Sequence, residues 1–270
     1  MEDKSLKFLH IGEGAGRHGI AVRAQDGAPP GLFWLGGYKS DMKGTKAVAL
    51  ADWAAKAGRA CVRFDYFGHG ESEGAFTDGT IGRWLADSVA VFDAYCRGPQ
   101  ILIGSSMGGW LALLMARALK RRPPPYPPPQ AVEGRVGAAA SIAGMVLIAP
   151  AVDFTEELMW KRFTPEIKRE LDQTGVWARP SQYAAEPYLV TRQLIDEGRN
   201  HLLLGSMIET GCPVRILQGV EDPDVPWQHA VALTSRLASD DVVLTLVKDG
   251  DHRLSRPEDI ERMLSAVAEF

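Results

Sequence analysis

The sequence is poor in several features that would each have fixed a class. It has three cysteines, Cys61, Cys96 and Cys212, odd in number and far apart. That excludes a small disulfide-framed domain and fits buried thiols in a reducing compartment. No run reaches the roughly 18 apolar residues that a membrane-spanning helix needs. The opening stretch MEDKSLKFLH carries acids and lacks an apolar centre, so it does not read as a secretory signal. Basic residues are not in excess: 30 Lys and Arg face 34 Asp and Glu, for a net charge of −4. General attraction to nucleic acid or an anionic membrane is therefore not expected. There is no basic stripe, zinc-ligand spacing or internal repeat. Together these point to a cytoplasmic location.

The 270 residues, 46% hydrophobic and 24% charged, suit one globular domain over 1–270 with a large core. Short apolar runs alternate with helical patterns. GLFWL (31–35), ACVRF (60–64), QILIG (100–104), GMVLIA (144–149), VRILQG (214–219) and VVLTLV (242–247) read as strands buried on both faces. Helices are expected near 41–57, 81–96, 107–120, 226–238 and 256–269. This alternation implies an α/β fold, a mostly parallel sheet with helices on both faces. An antiparallel pair is expected at the N-terminal edge. Two segments break the rhythm. RRPPPYPPPQAVEG (121–134) cannot continue a helix and reads as an extended surface loop. The stretch 151–210 is too long for a simple connection. Its EELMWKRF, PEIKREL and PYLVTRQLIDE segments have helical spacing, and a helical cap is expected there.

The six residues directly after QILI concentrate the chemistry: GSSMGG, at 104–109. The pattern Gly104-x-Ser106-x-Gly108 selects Ser106 over Ser105. It follows a strand and precedes the helical run WLALLMARAL, which is the setting of a nucleophile elbow. The flanking glycines remove side chains that would collide with the adjoining strand and helix. A glycine-rich helix start that only packs or binds an anion is the plain alternative.

A serine hydroxyl needs a base. His252 lies just past the strand at 242–247 and is the best placed of six histidines. His10 and His18 lie at the N-terminal edge, His201 in the expected cap and His229 early in a helix. His69 sits in the turn DYFGHGESEG, where a structural role is expected. The base in turn needs an acid to hold its tautomer. The loop GVEDPDVPW offers Asp222, favoured by its spacing, and Asp224, an alternative that could instead cap the next helix. Asp153, after GMVLIAP, is a third option. For the oxyanion, backbone N–H groups of Met107 and Tyr38 are expected, the latter after Gly36-Gly37.

GSSMGG, RFDYFGHGESEG, GVEDPDVPW and DGDHR together resemble the α/β-hydrolase family across nearly the whole chain. GGYKSDMKGTKAVAL, VRFDYFGHGESEG and GSSMGGWLALL are similar to its branch of mitochondrial acyl-protein thioesterases and acyl-glucuronide esterases. The resemblance implies an α/β-hydrolase fold with a small cap and a triad of Ser106, Asp222 and His252. It implies a serine hydrolase of carboxylic esters or thioesters that works without cofactor or metal. A small-molecule acyl ester or thioester is the expected partner. A peptidase and a non-catalytic binding protein are the alternatives. Aromatics such as Trp110, Trp160 and Trp227 are expected to wall the substrate pocket.

Overall fold

The computed structural model describes residues 6–121, 139–180, 187–238 and 241–270. Its strands, in chain order, are β1 (Leu6–Ile11), β2 (His18–Gln25), β3 (Ala28–Leu35), β4 (Arg59–Phe64) and β5 (Pro99–Ser105). They continue with β6 (Ser141–Ile148), β7 (Val176–Arg179), β8 (Tyr188–Thr191), β9 (Val214–Gly219) and β10 (Val242–Val247). The helices are α1 (Thr45–Lys56), α2 (Ile81–Tyr95), α3 (Met107–Lys120), α4 (Pro165–Thr174), α5 (Arg192–Gly198), α6 (Trp227–Thr234) and α7 (Pro257–Ala268). Eight strands form one sheet in the order β1-β2-β4-β3-β5-β6-β9-β10. β2 runs antiparallel to β1 and β4, and every other neighbouring pair is parallel.

Strand periodicity divides the core. Phe33, Leu35, Leu102, Met145, Leu147 and Ile216 face α2 and α3 in one apolar cluster. Leu32, Trp34, Ile101, Ile103, Val146 and Leu217 face α1 and α7 in the other. Successive side chains of each strand thus feed opposite layers. The strand-and-helix pattern read from the sequence gives the correct architecture, and β9, β10 and α3 have the expected bounds. β10 departs from expectation on burial. It is an edge strand, with Val243 47% and Leu246 43% exposed, because only β9 pairs with it.

The stretch 151–210 is not purely helical. A π-helical turn at Thr155–Met159 leads to α4, then to the antiparallel β7–β8 pair, then to α5. Thr164 caps α4 by accepting the Ile167 N–H at 3.4 Å, with Pro165 in its first turn. PYLV, expected as helix, is instead strand β8. Val190 and Thr191 pair with Trp177 and Val176. In four residues the helical and strand periods cannot be told apart, and β-branched and aromatic side chains decide for strand. Except for Arg121, the proline-rich stretch 121–134 lies outside the described residues.

α3 is the buried axis of the molecule, with every side chain from Met107 to Ala116 in the core. Its start packs backbone to backbone against the sheet. A Cβ on Gly104 would strike the Gly108 carbonyl, and one on Gly108 would strike the carbonyl oxygens of Leu35 and Gly36. Gly108→Ala is therefore expected to cost about 3 kcal/mol or more, the upper range for overpacking, since backbone cannot step aside. A denaturant-midpoint measurement checks this, and an unchanged midpoint contradicts it.

Candidate active site

Ser106 sits between β5 and α3 at φ 55° and ψ −116°, a left-handed conformation costing a non-glycine residue roughly 1–3 kcal/mol. Three hydrogen bonds hold it there. Its N–H donates to Ile148 O at 2.8 Å, and its carbonyl accepts from Gly109 N at 2.9 Å and Ala151 N at 3.1 Å. The turn lifts the hydroxyl clear of the sheet.

His252 meets it from the loop after β10. His252 Nε2 lies 3.0 Å from Ser106 Oγ, and Nδ1 lies 2.7 Å from Asp222 Oδ2. An ionised carboxylate only accepts, so Nδ1 carries the proton and Nε2 is left to receive the serine's. Asp222 is buried. Its Oδ1 accepts from the N–H groups of Asp224 (2.9 Å) and Val225 (2.8 Å), and Oδ2 also accepts from Gln218 Nε2 at 3.2 Å. These donors fix the plane of the carboxylate.

The other acids are engaged elsewhere. Asp153 accepts the Leu203 and Leu204 N–H groups at 2.8–3.0 Å, and burial pushes its pKa up. Asp224 does not cap α6; its carboxylate pairs with Arg179 of β7 at 3.0 Å. Asp222, Asp224 and His252 place ligand-type atoms within 4.8 Å of one another. The hydrogen bonds just described account for that cluster. Of the remaining histidines, His18 pairs with Asp87 at 3.1 Å, His201 with Glu197 at 2.6 Å, and His229 Nε2 lies 2.8 Å from Val152 O.

Met107 and Tyr38, expected to supply the oxyanion N–H groups, line the same cleft as Ser106. Met107 is the first residue of α3, where helical N–H groups lack intrahelical acceptors. Gly37 lies so close that a Cβ there would sit 3.4 Å from Ser106 Cβ. Tyr38 follows it. Its hydroxyl donates to Leu189 O at 2.9 Å, and its ring contacts Phe76, Trp84, Phe154 and Tyr188. Burial raises its pKa.

A cleft of about 420 Å³ opens over Ser106. Ala151, Phe154, Leu158, Met159 and Tyr188 make one side apolar. Thr45, Lys46, Arg253 and Ser255 make the other polar. The three expected tryptophans lie outside this lining. Trp110 is fully buried, donates to His201 O at 3.3 Å and supports Phe154 edge-on from behind. Trp160 lies among Lys168, Arg192 and Arg199, each about 5.0 Å from its ring. Trp227 is a half-buried residue opening α6. For Trp110 and Trp227, nearness in sequence to Ser106 and Asp222 does not set direction, because successive helical residues point in different directions.

Several contributors carry no sequence signal of their own. Lys46 donates to Arg253 O and Ser255 Oγ, tying α1 to the loop that carries His252. Burial lowers its pKa to about 8. His69 is buried. Its Nδ1 lies 3.1 Å from Phe67 O, and its Nε2 accepts the Lys39 N–H at 3.1 Å. Burial lowers its pKa to about 4, so it is a neutral ring with the proton on Nδ1. All three cysteines are free and buried, with the Cys61 thiol pushed up to about 12 and Cys212 to about 11 by burial.

Comparison with known proteins agrees with this picture. The model of the Alpha/beta hydrolase family matches residues 18–263. The mitochondrial palmitoyl-protein thioesterase ABHD10 of Bos taurus is 36% identical over 249 residues, 92% of this chain and 75% of that protein. A solved structure from Agrobacterium vitis S4, to which a hydrolase role is ascribed, is 46% identical with a TM-score of 0.91. The match covers 98% of this chain and 97% of that one. The structure of alpha/beta hydrolase domain-containing protein 10 from mouse is 33% identical with a TM-score of 0.82, over 98% and 97% of the two chains. The relatives named mitochondrial overturn the cytoplasmic location expected from the composition and first residues. Among the described residues, no helix is long and apolar enough to cross a membrane.

Two outcomes follow. Asp222→Asn should lower kcat by about 10⁴-fold, because an amide favours the wrong imidazole tautomer. Asp153→Asn should mainly lower stability and Asp224→Asn should cost far less kcat than Asp222→Asn, as kinetics and denaturation on the three variants will show. The second concerns acid. His69 has a folded value of about 4 against about 6.5 free. The folded state thus binds fewer protons, and its stability falls as pH drops from 6.5 toward 4. Between pH 7 and 4.5 the urea midpoint of the native protein should fall further than that of His69→Gln. Parallel curves would contradict the buried neutral ring.

Proposed function

The chain belongs to the alpha/beta hydrolase family and hydrolyses carboxylic esters or thioesters; on that premise we propose that it works through an acyl-enzyme on Ser106. The observation that carries the reading is the unbroken relay from Ser106 Oγ through His252 to Asp222, at 3.0 and 2.7 Å. Ser106 Oγ attacks the substrate carbonyl carbon while its proton passes to His252 Nε2. The carbonyl oxygen becomes an oxyanion held by the N–H groups of Tyr38 and Met107. Collapse expels the alcohol or thiol, which takes the proton from Nε2. Water then gives a proton to Nε2 and attacks the acyl-serine, and a second collapse frees the acid and restores Ser106. Asp222 stays ionised throughout and stabilises the transient imidazolium.

We further propose residues 151–210 as a cap that sorts substrates. Phe154, Leu158, Met159 and Tyr188 would receive an apolar acyl group, and Met159 would adapt to its shape. The relatives named palmitoyl-protein thioesterases, whose acyl group is a long apolar chain, support this side of the cleft as the acyl side. The polar side at Thr45, Lys46 and Ser255 would take the leaving group.

Ser106→Ala should lose at least about 10³-fold in kcat, and a fluorophosphonate should label Ser106 only in the native protein. Each methylene buried against the apolar side is worth about 0.8 kcal/mol, roughly fourfold in kcat/KM. Rates on p-nitrophenyl esters should therefore climb from acetate toward longer chains and flatten in Phe154→Ala. Faster cleavage of dipeptide anilides than of esters would make the protein a peptidase.

A further inference from the structure

The loop that carries Tyr38 is a turn closed locally by the Ser40 N–H donating to Gly37 O at 3.1 Å. It follows two glycines, and Lys39 adopts φ 57°, a conformation disfavoured for a non-glycine residue. Strain of this kind persists only where surrounding groups over-determine it. Beyond the turn bond, one group that holds this backbone is His69, from the turn after β4, some thirty residues along the chain. Its Nε2 takes the Lys39 N–H, the peptide next to the one whose N–H, of Tyr38, is the proposed oxyanion donor. Its other nitrogen is anchored on Phe67 O. The ring is wedged edge-on against Tyr66 (5.5 Å), Phe76 (5.1 Å) and Trp84 (5.2 Å). Phe76 and Trp84 also pack against the Tyr38 ring, at 4.9 and 5.9 Å. Backbone and side chain of the oxyanion loop therefore rest on the same imidazole nest.

We propose that His69 is a positioning residue for the oxyanion hole: by accepting the Lys39 N–H at Nε2 it holds the strained loop in the orientation that aims the Tyr38 N–H at the reacting carbonyl oxygen. This rests on the assignment of Ser106 as nucleophile and Tyr38 N–H as oxyanion donor. His69 touches no reacting atom. Its effect is confined to the transition state, where the oxyanion forms. Losing a donor of an oxyanion hole outright costs about 10²- to 10³-fold in kcat. Re-aiming one should cost less, about 10- to 100-fold.

The two ring nitrogens allow a test by replacement. Asparagine can supply a donor near the Nδ1 position but leaves the Lys39 N–H without its acceptor. Glutamine reaches the Nε2 position with an oxygen that can accept it. On p-nitrophenyl acetate, His69→Asn should lose about 10- to 100-fold in kcat with KM within about twofold. It should weaken binding of an aryl trifluoromethyl ketone, which mimics the tetrahedral adduct, by a matching factor. His69→Gln should recover most of both losses. Equal kcat losses in the two variants that track their melting temperatures would overturn the proposal, and so would an unchanged kcat in His69→Asn. Nitrogen-15 NMR of the native protein needs no variant. It should show the His69 ring neutral with the proton on Nδ1, and a proton on Nε2 would refute the clamp. Ser106→Ala run alongside separates the two readings. If it stays active, the nucleophile assignment fails; if it is dead while His69→Asn is fast, only the clamp fails.

Discussion

The active arrangement depends on one piece of backbone, the turn at Ser106. A residue cannot hold φ 55° on its own account, so the strain must be offset nearby. Here it is offset by hydrogen bonds to Ile148, Gly109 and Ala151 and by packing so close that Gly104 and Gly108 admit no Cβ. The bonds run to β6 and its following loop, and the contacts run to the end of β3. Ser106 is thereby referenced to three parallel strands at once. The next loops along the sheet edge bring Asp222, after β9, and His252, after β10, to the same end. Side chains far apart in sequence meet because parallel strands deliver their carboxyl ends to one side.

A second layer fixes the first. Gln218 and two backbone N–H groups orient Asp222. Lys46 ties down the chain beside His252. His69 braces the strained peptide at Lys39. The hydrogen bonds that such buried polar groups make to the fold in turn restrict it.

Much of this was legible in the chain. The strands showed as apolar runs because most are covered on both faces, and GSSMGG showed because the turn's sterics demand glycines at fixed offsets. His252 and Asp222 followed from chain order once Ser106 was placed. What was not legible is instructive. Trp110, Trp160 and Trp227 were expected at the substrate and lie behind it, on the outside and beside it. Composition says how much aromatic surface a segment has, and only packing says which way it faces. The β7–β8 pair was hidden because four residues fit either period. His69, in a turn, carried no pattern that distinguished a loop filler from a brace, since its partner is a backbone N–H thirty positions away.

The β7–β8 pair has a consequence for how such a protein can change. On one strand Arg179 is salt-bridged to Asp224, two residues from the triad acid. On the other, Leu189 O receives the Tyr38 hydroxyl, and Tyr188 lies beside Lys39 with its ammonium 5.2 Å from the ring centre. The pair that adds Tyr188 to the cleft is thus fastened to the loops that carry Asp222 and Tyr38. Selectivity and turnover therefore share a mechanical linkage. An alteration that widens the cleft for a bulkier acyl group also loosens the reactive centre, so new substrate range and catalytic rate would drift together along a lineage unless compensating changes re-fasten one side.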